Sequence, residues 1–105
     1  MNTIQDRSED FLAALVRAFP IEDVWLLEAG KAKECALERP TNFIVIVQDG
    51  SDAHVIERAA ADLILKRPEW SGIDVFVFPL STITRTPRPL LVKMALTSGT
   101  NIYCK

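Results

Sequence analysis

Two segments constrain this chain more than any others: NFIVIV, from Asn42 to Val47, and GIDVFVF, from Gly72 to Phe78. Each is of strand length, rich in β-branched or aromatic residues, and apolar at consecutive positions, which is the pattern of a strand covered on both faces. Between them Val55, Ile56, Ala59, Ala60, Leu63 and Ile64 recur in a pattern suited to a helix face that stops at Lys66, Arg67 and Pro68. Ser51 or Asp52, in the turn QDGSD, is placed to cap that helix. The spacing therefore predicts strand, helix, strand. Apart from Asp74 the second run is apolar on both faces, which predicts a central place in the sheet.

Upstream, Phe11, Leu12, Leu15, Val16 and Phe19 fall at helical spacing over residues 3–19, with Thr3 and Asp6 as a capping box and Pro20 ending the pattern. DVWLL, Asp23 to Leu27, suits a strand beneath that helix. The stretch AGKAKECALERP reads as a loop or a single helical turn. Downstream, Pro89 opens a helix to about Thr97, Gly99 terminates it, and TNIYC is a short final strand. The second strand follows the first too closely for a full crossover helix, so a mixed sheet is expected. An α/β (α+β) sandwich follows: a mixed sheet of about four strands packed with about three helices.

The 105 residues, 49% hydrophobic and 25% charged, suit one globular domain spanning 1–105. A net charge of -2 gives no global reason to bind nucleic acid or an anionic membrane surface. Charge is uneven, however: no acid follows Asp74, while Arg85, Arg88, Lys93 and Lys105 remain. This basic third reads as a solvated loop and helix face, with a partner or phosphate contact around TRTPRP as the functional alternative. Cys35 and Cys104 have no paired spacing and the chain holds a single histidine, His54, so neither a zinc site nor a disulfide framework is expected. With no leader pattern and no apolar run near bilayer length, a cytoplasmic location is expected.

The order and punctuation resemble the minimal nucleotidyltransferase domain, the small relative of the DNA polymerase beta catalytic fold, over nearly the whole chain. DVWLLEAGKAKE stands where that family has a strand and a Gly-Ser turn, ERPTNFIVIV where it has two aspartates one residue apart, GIDVFVF where it has a third, and SGTNIY near the end. The resemblance implies Gly30 as the turn glycine, followed here by Lys31 rather than serine, and puts Asn42 and Ile44 at the aspartate positions. A register one residue later puts Phe43 and Val45 there instead. In either register the paired carboxylates are absent.

Carboxylates at i and i+2 of a strand share a face, which lets them hold the divalent cations that grip a triphosphate. Asp74 is the one matching acid. It is expected to be half-buried or buried, either as a strand-edge aspartate bonded to a turn amide or as a residual ligand. The resemblance thus implies a catalytically degenerate domain that binds a partner protein, itself or a nucleotide, with no cofactor expected. Gly30, Lys31 and Asn42 are its nucleotide-contact positions, and a small helical HEPN-like protein of toxin–antitoxin pairs is its implied partner. The alternative is an active transferase using Mg2+ and ATP, with Glu28, Glu34 or Glu38 joining Asp74. Either form requires Asn42 and Asp74 on adjacent strands opening into one cleft.

Overall fold

The computed structural model describes residues 4–28, 41–84 and 87–105. Thr3, the stretch 29–40 with Gly30, Lys31, Glu34, Cys35 and Glu38, and Arg85 lie outside the described residues, and the cap expected at Thr3 and the loop or turn expected over 29–40 fall there. The order is α1 (Ile4–Ala18), β1 (Ile21–Glu28), β2 (Thr41–Val47), α2 (Ala53–Lys66), β3 (Ile73–Pro79), α3 (Ser81–Thr84), α4 (Leu90–Ser98) and β4 (Thr100–Cys104), with a 3-10 turn at Pro68–Trp70. The sheet is four-stranded, in the order β3-β2-β1-β4. β1 is antiparallel to β2 and to β4, and β2 is parallel to β3. The α+β class and the mixed sheet are as the sequence predicts.

Alternation along β2 builds two cores. Phe43, Val45 and Val47 face one side, where they pack with Phe11 and Leu15 of α1 and Ile56 and Ala60 of α2. Ile44 faces the other, against Val92 and Ala95 of α4 and Leu27 of β1. All five β2 residues from Phe43 to Val47 are buried, which explains a run with no polar position. Phe11 anchors the first core through edge-to-face contacts with Phe43 and Trp70, both at 5.1 Å between ring centroids.

Three expectations need correction. β3 lies at an edge, paired with β2 alone. Its two-faced apolarity reflects helices on both sides of the sheet, a property of layers that says nothing about lateral position. Asp74 is exposed rather than half-buried, because it occupies the open end of that edge strand. Val55 is exposed as well: the buried face of α2 centres on Ile56 and Ala60, and Val55 turns away from it. β1 is longer than DVWLL because it has a neighbour on each side, from Ile21 onward along β2 and from Asp23 along β4. α3 and the 3-10 turn have no counterpart among the elements expected from the sequence.

Asp52 is the cap of α2, its Oδ1 accepting from the N–H groups of His54 and Val55 at 3.1 and 3.2 Å. Gly72, at φ 92°, provides the left-handed turn that feeds β3, and its carbonyl accepts from Thr41 N–H at 2.9 Å.

Candidate functional site

Register brings Leu27, Asn42 and Asp74 into one row across β1, β2 and β3. Paired residues share a face, and this row continues into Ile44 and Phe76, on the α4 side of the sheet. Asn42 is half-buried and Asp74 exposed. Neither side chain has a hydrogen bond or ion pair among the described residues. Glu28 pairs with Thr41, in the next row outward, so it is one residue out of step with Asp74. Gly30, Lys31, Glu34 and Glu38 fall outside the described residues.

Beyond that mouth the strand closes. Ile44, two residues from Asn42, is fully buried beneath Val92 and Ala95, and Phe43 and Val45 are as deeply buried on the opposite face. Among the described residues no group of three or more histidine, cysteine, aspartate or glutamate side chains is arranged to hold a metal ion.

A second feature was not signalled by any sequence motif. A groove of about 800 Å³ runs between α2 and β3, walled by Arg58, Ala61, Ile64 and Leu65 on the helix and floored by Val75 and Phe76. His54 and Asp74 also line it, whereas Asn42 does not. Glu57 reaches across it: its carboxylate accepts the backbone N–H of Val77 at 3.0 Å. An edge strand leaves such donors unpaired, and a charged acceptor on one of them is a common way to occupy it. The available signal was Leu65, an apolar residue off the buried helical face, and 82% exposed in the structure.

Three hydroxyls of the C-terminal third serve the backbone. Thr82 and Thr84 donate to the carbonyls of Pro79 and Ser81, and Thr97 to that of Lys93. Ser81 N–H donates to Asp49 Oδ1 at 2.9 Å, tying the turn after β2 to the turn after β3. Arg88 donates from Nε to the carbonyl of Ile83 at 2.5 Å, so one basic residue of TRTPRP braces its own loop.

Trp70 is buried against Phe11, with the Arg67 guanidinium 4.8 Å from its ring, and Arg67 also pairs with Glu69 at 3.0 Å. The backbone and Arg67 hold the Glu69 carboxyl below its ordinary range. At the other edge, hydrogen bonding to Asp23 and the charge of Asp23 push the exposed Cys104 thiol up.

Comparison with known proteins adds no family: no family model, curated protein or solved structure matches the chain.

Proposed function

We propose that this chain is a nucleotidyltransferase-like domain that binds protein instead of transferring a nucleotide. The observation that carries the reading is the position of Ile44, buried beneath α4 two residues from Asn42. A carboxylate pair on β2 would need position 44 open to water and metal, and here that position is part of a core. The neighbouring register, Phe43 and Val45, is walled off in the same way by α1 and α2. A single exposed acid such as Asp74 is a poor magnesium site, since that ion usually takes more than one carboxylate or phosphate oxygen.

The partner suggested by the resemblance is a small helical HEPN-like protein in a toxin–antitoxin type of pair, encountered in the cytoplasm. No helix among the described residues is long and apolar enough to cross a membrane. The α2–β3 groove, with a mixed apolar and charged lining and a partly unpaired strand, is the surface best suited to a polypeptide.

Two measurements test this together. Incubation with labelled ATP, Mg2+ or Mn2+ and host lysate is expected to transfer no label, and affinity capture from the native host to recover a stoichiometric protein. Label on any acceptor, lost in Asp74→Asn, would instead establish the active transferase with Asn42 and Asp74 at its mouth. A melting temperature raised by Mg-ATP without transfer would point to nucleotide binding, because a ligand held by the folded state alone stabilises it.

A further inference from the structure

The two faces of the sheet are covered unequally. Helices of 15 and 14 residues, α1 and α2, pack on one face, and α4, of nine, on the other. Phe76 and Phe78, on the α4 side, are left half-buried. α4 is itself apolar on two sides. Val92 and Ala95 are buried in the core with Ile44 and Leu27. At about 100° per residue, Leu90 and Met94 lie about 40° apart on the far side of the helix, and they are 70% and 42% exposed.

A helix with one face in a core ordinarily carries one apolar stripe and leaves the opposite face to charged and polar residues. A second stripe is surface built to be covered. At nine residues α4 is far too short to cross a bilayer. Its backbone groups are bonded within the helix, so it offers no edge to an added strand. What an i, i+4 row such as Leu90 and Met94 fits is the groove between the rows of another helix.

Charge decides which helix. Lys93 and Thr97 run along one flank of the outward stripe, both exposed. The Thr97 hydroxyl is turned onto the Lys93 carbonyl and asks for no partner, whereas the Lys93 ammonium has no ion pair among the described residues. Arg88 is exposed just before α4, its Nε on the Ile83 carbonyl and its charge uncompensated. No acid follows Asp74 in the sequence to neutralise either. A second copy joined through the same stripe would set Lys93 and Arg88 of both chains along one seam, where like charges repel. An anionic membrane would meet a chain whose net charge is -2.

We propose that the outward face of α4 docks an amphipathic helix of a partner protein, its apolar stripe seated on Leu90 and Met94 and its acidic flank on Lys93 and Arg88. This rests on the protein-binding reading above and gives the partner its chemistry. The surface is separate from the α2–β3 groove, which suits an extended segment. α4 spans about two and a half turns, so a single docked helix covers a small area and is expected to bind weakly on its own.

The test uses the isotope-labelled full chain and two synthetic helical peptides that share a leucine stripe and differ only in their flanks, glutamate in one and lysine in the other. The glutamate peptide is expected to bind, with amide shifts centred on Leu90, Lys93 and Met94 and an affinity that falls as salt is raised. Met94→Glu and Lys93→Glu, both at exposed positions, are each expected to weaken binding by about tenfold or more with an unchanged circular dichroism spectrum, whereas Leu65→Lys, in the groove, leaves it unaltered. Lys93→Glu is also expected to turn the preference toward the lysine peptide, which a loss of structure would not do. No binding of the glutamate peptide, equal binding of the two peptides, or shifts confined to the groove overturns the proposal. So does dimerisation of the chain alone that Met94→Glu abolishes, which makes a second copy the occupant, or binding to phosphatidylserine vesicles in preference to the glutamate peptide. A chain that binds neither peptide but still captures a stoichiometric host protein removes this surface and leaves the protein-binding reading standing. A chain that binds through α4 and also transfers label from ATP keeps the surface and removes the non-catalytic reading.

Discussion

The carboxylate of Glu57 on α2 accepts the backbone N–H of Val77 on the outer edge of β3, at 3.0 Å. One side chain therefore performs two tasks, fixing the helix against the strand and occupying a donor that faces no strand. Glu57→Ala is expected to lower stability by about 1.5–3 kcal/mol, the range for a hydrogen bond to a charged group. Urea denaturation would measure the loss, and hydrogen exchange at Val77 should quicken selectively. Unchanged exchange there would mean that the bond contributes little in solution.

Gly99 ends α4 where the chain passes close to its neighbours. A Cβ at that position would lie 2.7 Å from the Ala95 carbonyl oxygen and 3.1 Å from that of Leu26. Both contacts are backbone, which cannot swing aside, so Gly99→Ala is expected to cost about 1–3 kcal/mol. Thermal denaturation of the variant is the check. Gly50→Ala, where the added carbon meets nothing within 4 Å but φ is 95°, separates conformational strain from collision.

Placing at position 44 the carboxylate that a nucleotidyltransferase would need there is expected to unfold the protein before it creates a site. Ile44→Asp removes a fully buried side chain and places a charge against Val92 and Ala95. A loss of about 3–5 kcal/mol is expected, read from the denaturation midpoint. Asp74→Asn, at an exposed position, should stay within about 0.5 kcal/mol of wild type. A stable Ile44→Asp variant would mean that α4 yields readily, and the case against metal binding would weaken with it.

Cys104 and Asp23 are register partners across β4 and β1. Because Asp23 disfavours the thiolate, the thiol pKa lies higher in the folded chain than in the unfolded one. The associated stability is fully present below the unfolded thiol pKa and declines as pH rises through the folded value, so its window is alkaline. In a Cys35→Ser background, alkylation of Cys104 should be slower than that of a free thiol at the same pH, and Asp23→Asn should accelerate it. Equal rates in the two proteins would count against this account. Glu69 behaves oppositely: its lowered pKa gives stability that is present above the ordinary carboxyl range and lost as pH falls through the folded value.

The sequence made the elements legible because hydrophobic period and chain punctuation are local properties. Pro20, the Asp52 cap and Gly99 mark ends that the structure shares. It made the lateral order of strands illegible for an equally physical reason. The apolarity of both faces of VFVF reflects helices above and below, whereas edge or centre depends on a third direction that side-chain alternation does not encode. The row of Asn42 and Asp74 could be anticipated from the family resemblance. The α2–β3 groove could not, since Glu57, Ala61 and Leu65 resemble ordinary solvated helix positions until β3 is known to be beside them.

The position of β4 has a consequence for how the chain comes together. β4 pairs Asp23 with Cys104, and Lys105 returns to Glu22 through both its backbone N–H and its ammonium group. β1, β2, α2 and β3 can meet through contacts close in sequence, but β1 must wait for residues 100–104 to acquire its second neighbour. During synthesis a nascent chain that has exposed everything up to α4 would carry β1 as a bare template for foreign strands. β4 is thus a five-residue closing strip, and a chain cut before Thr100 is expected to present β1 as an open edge.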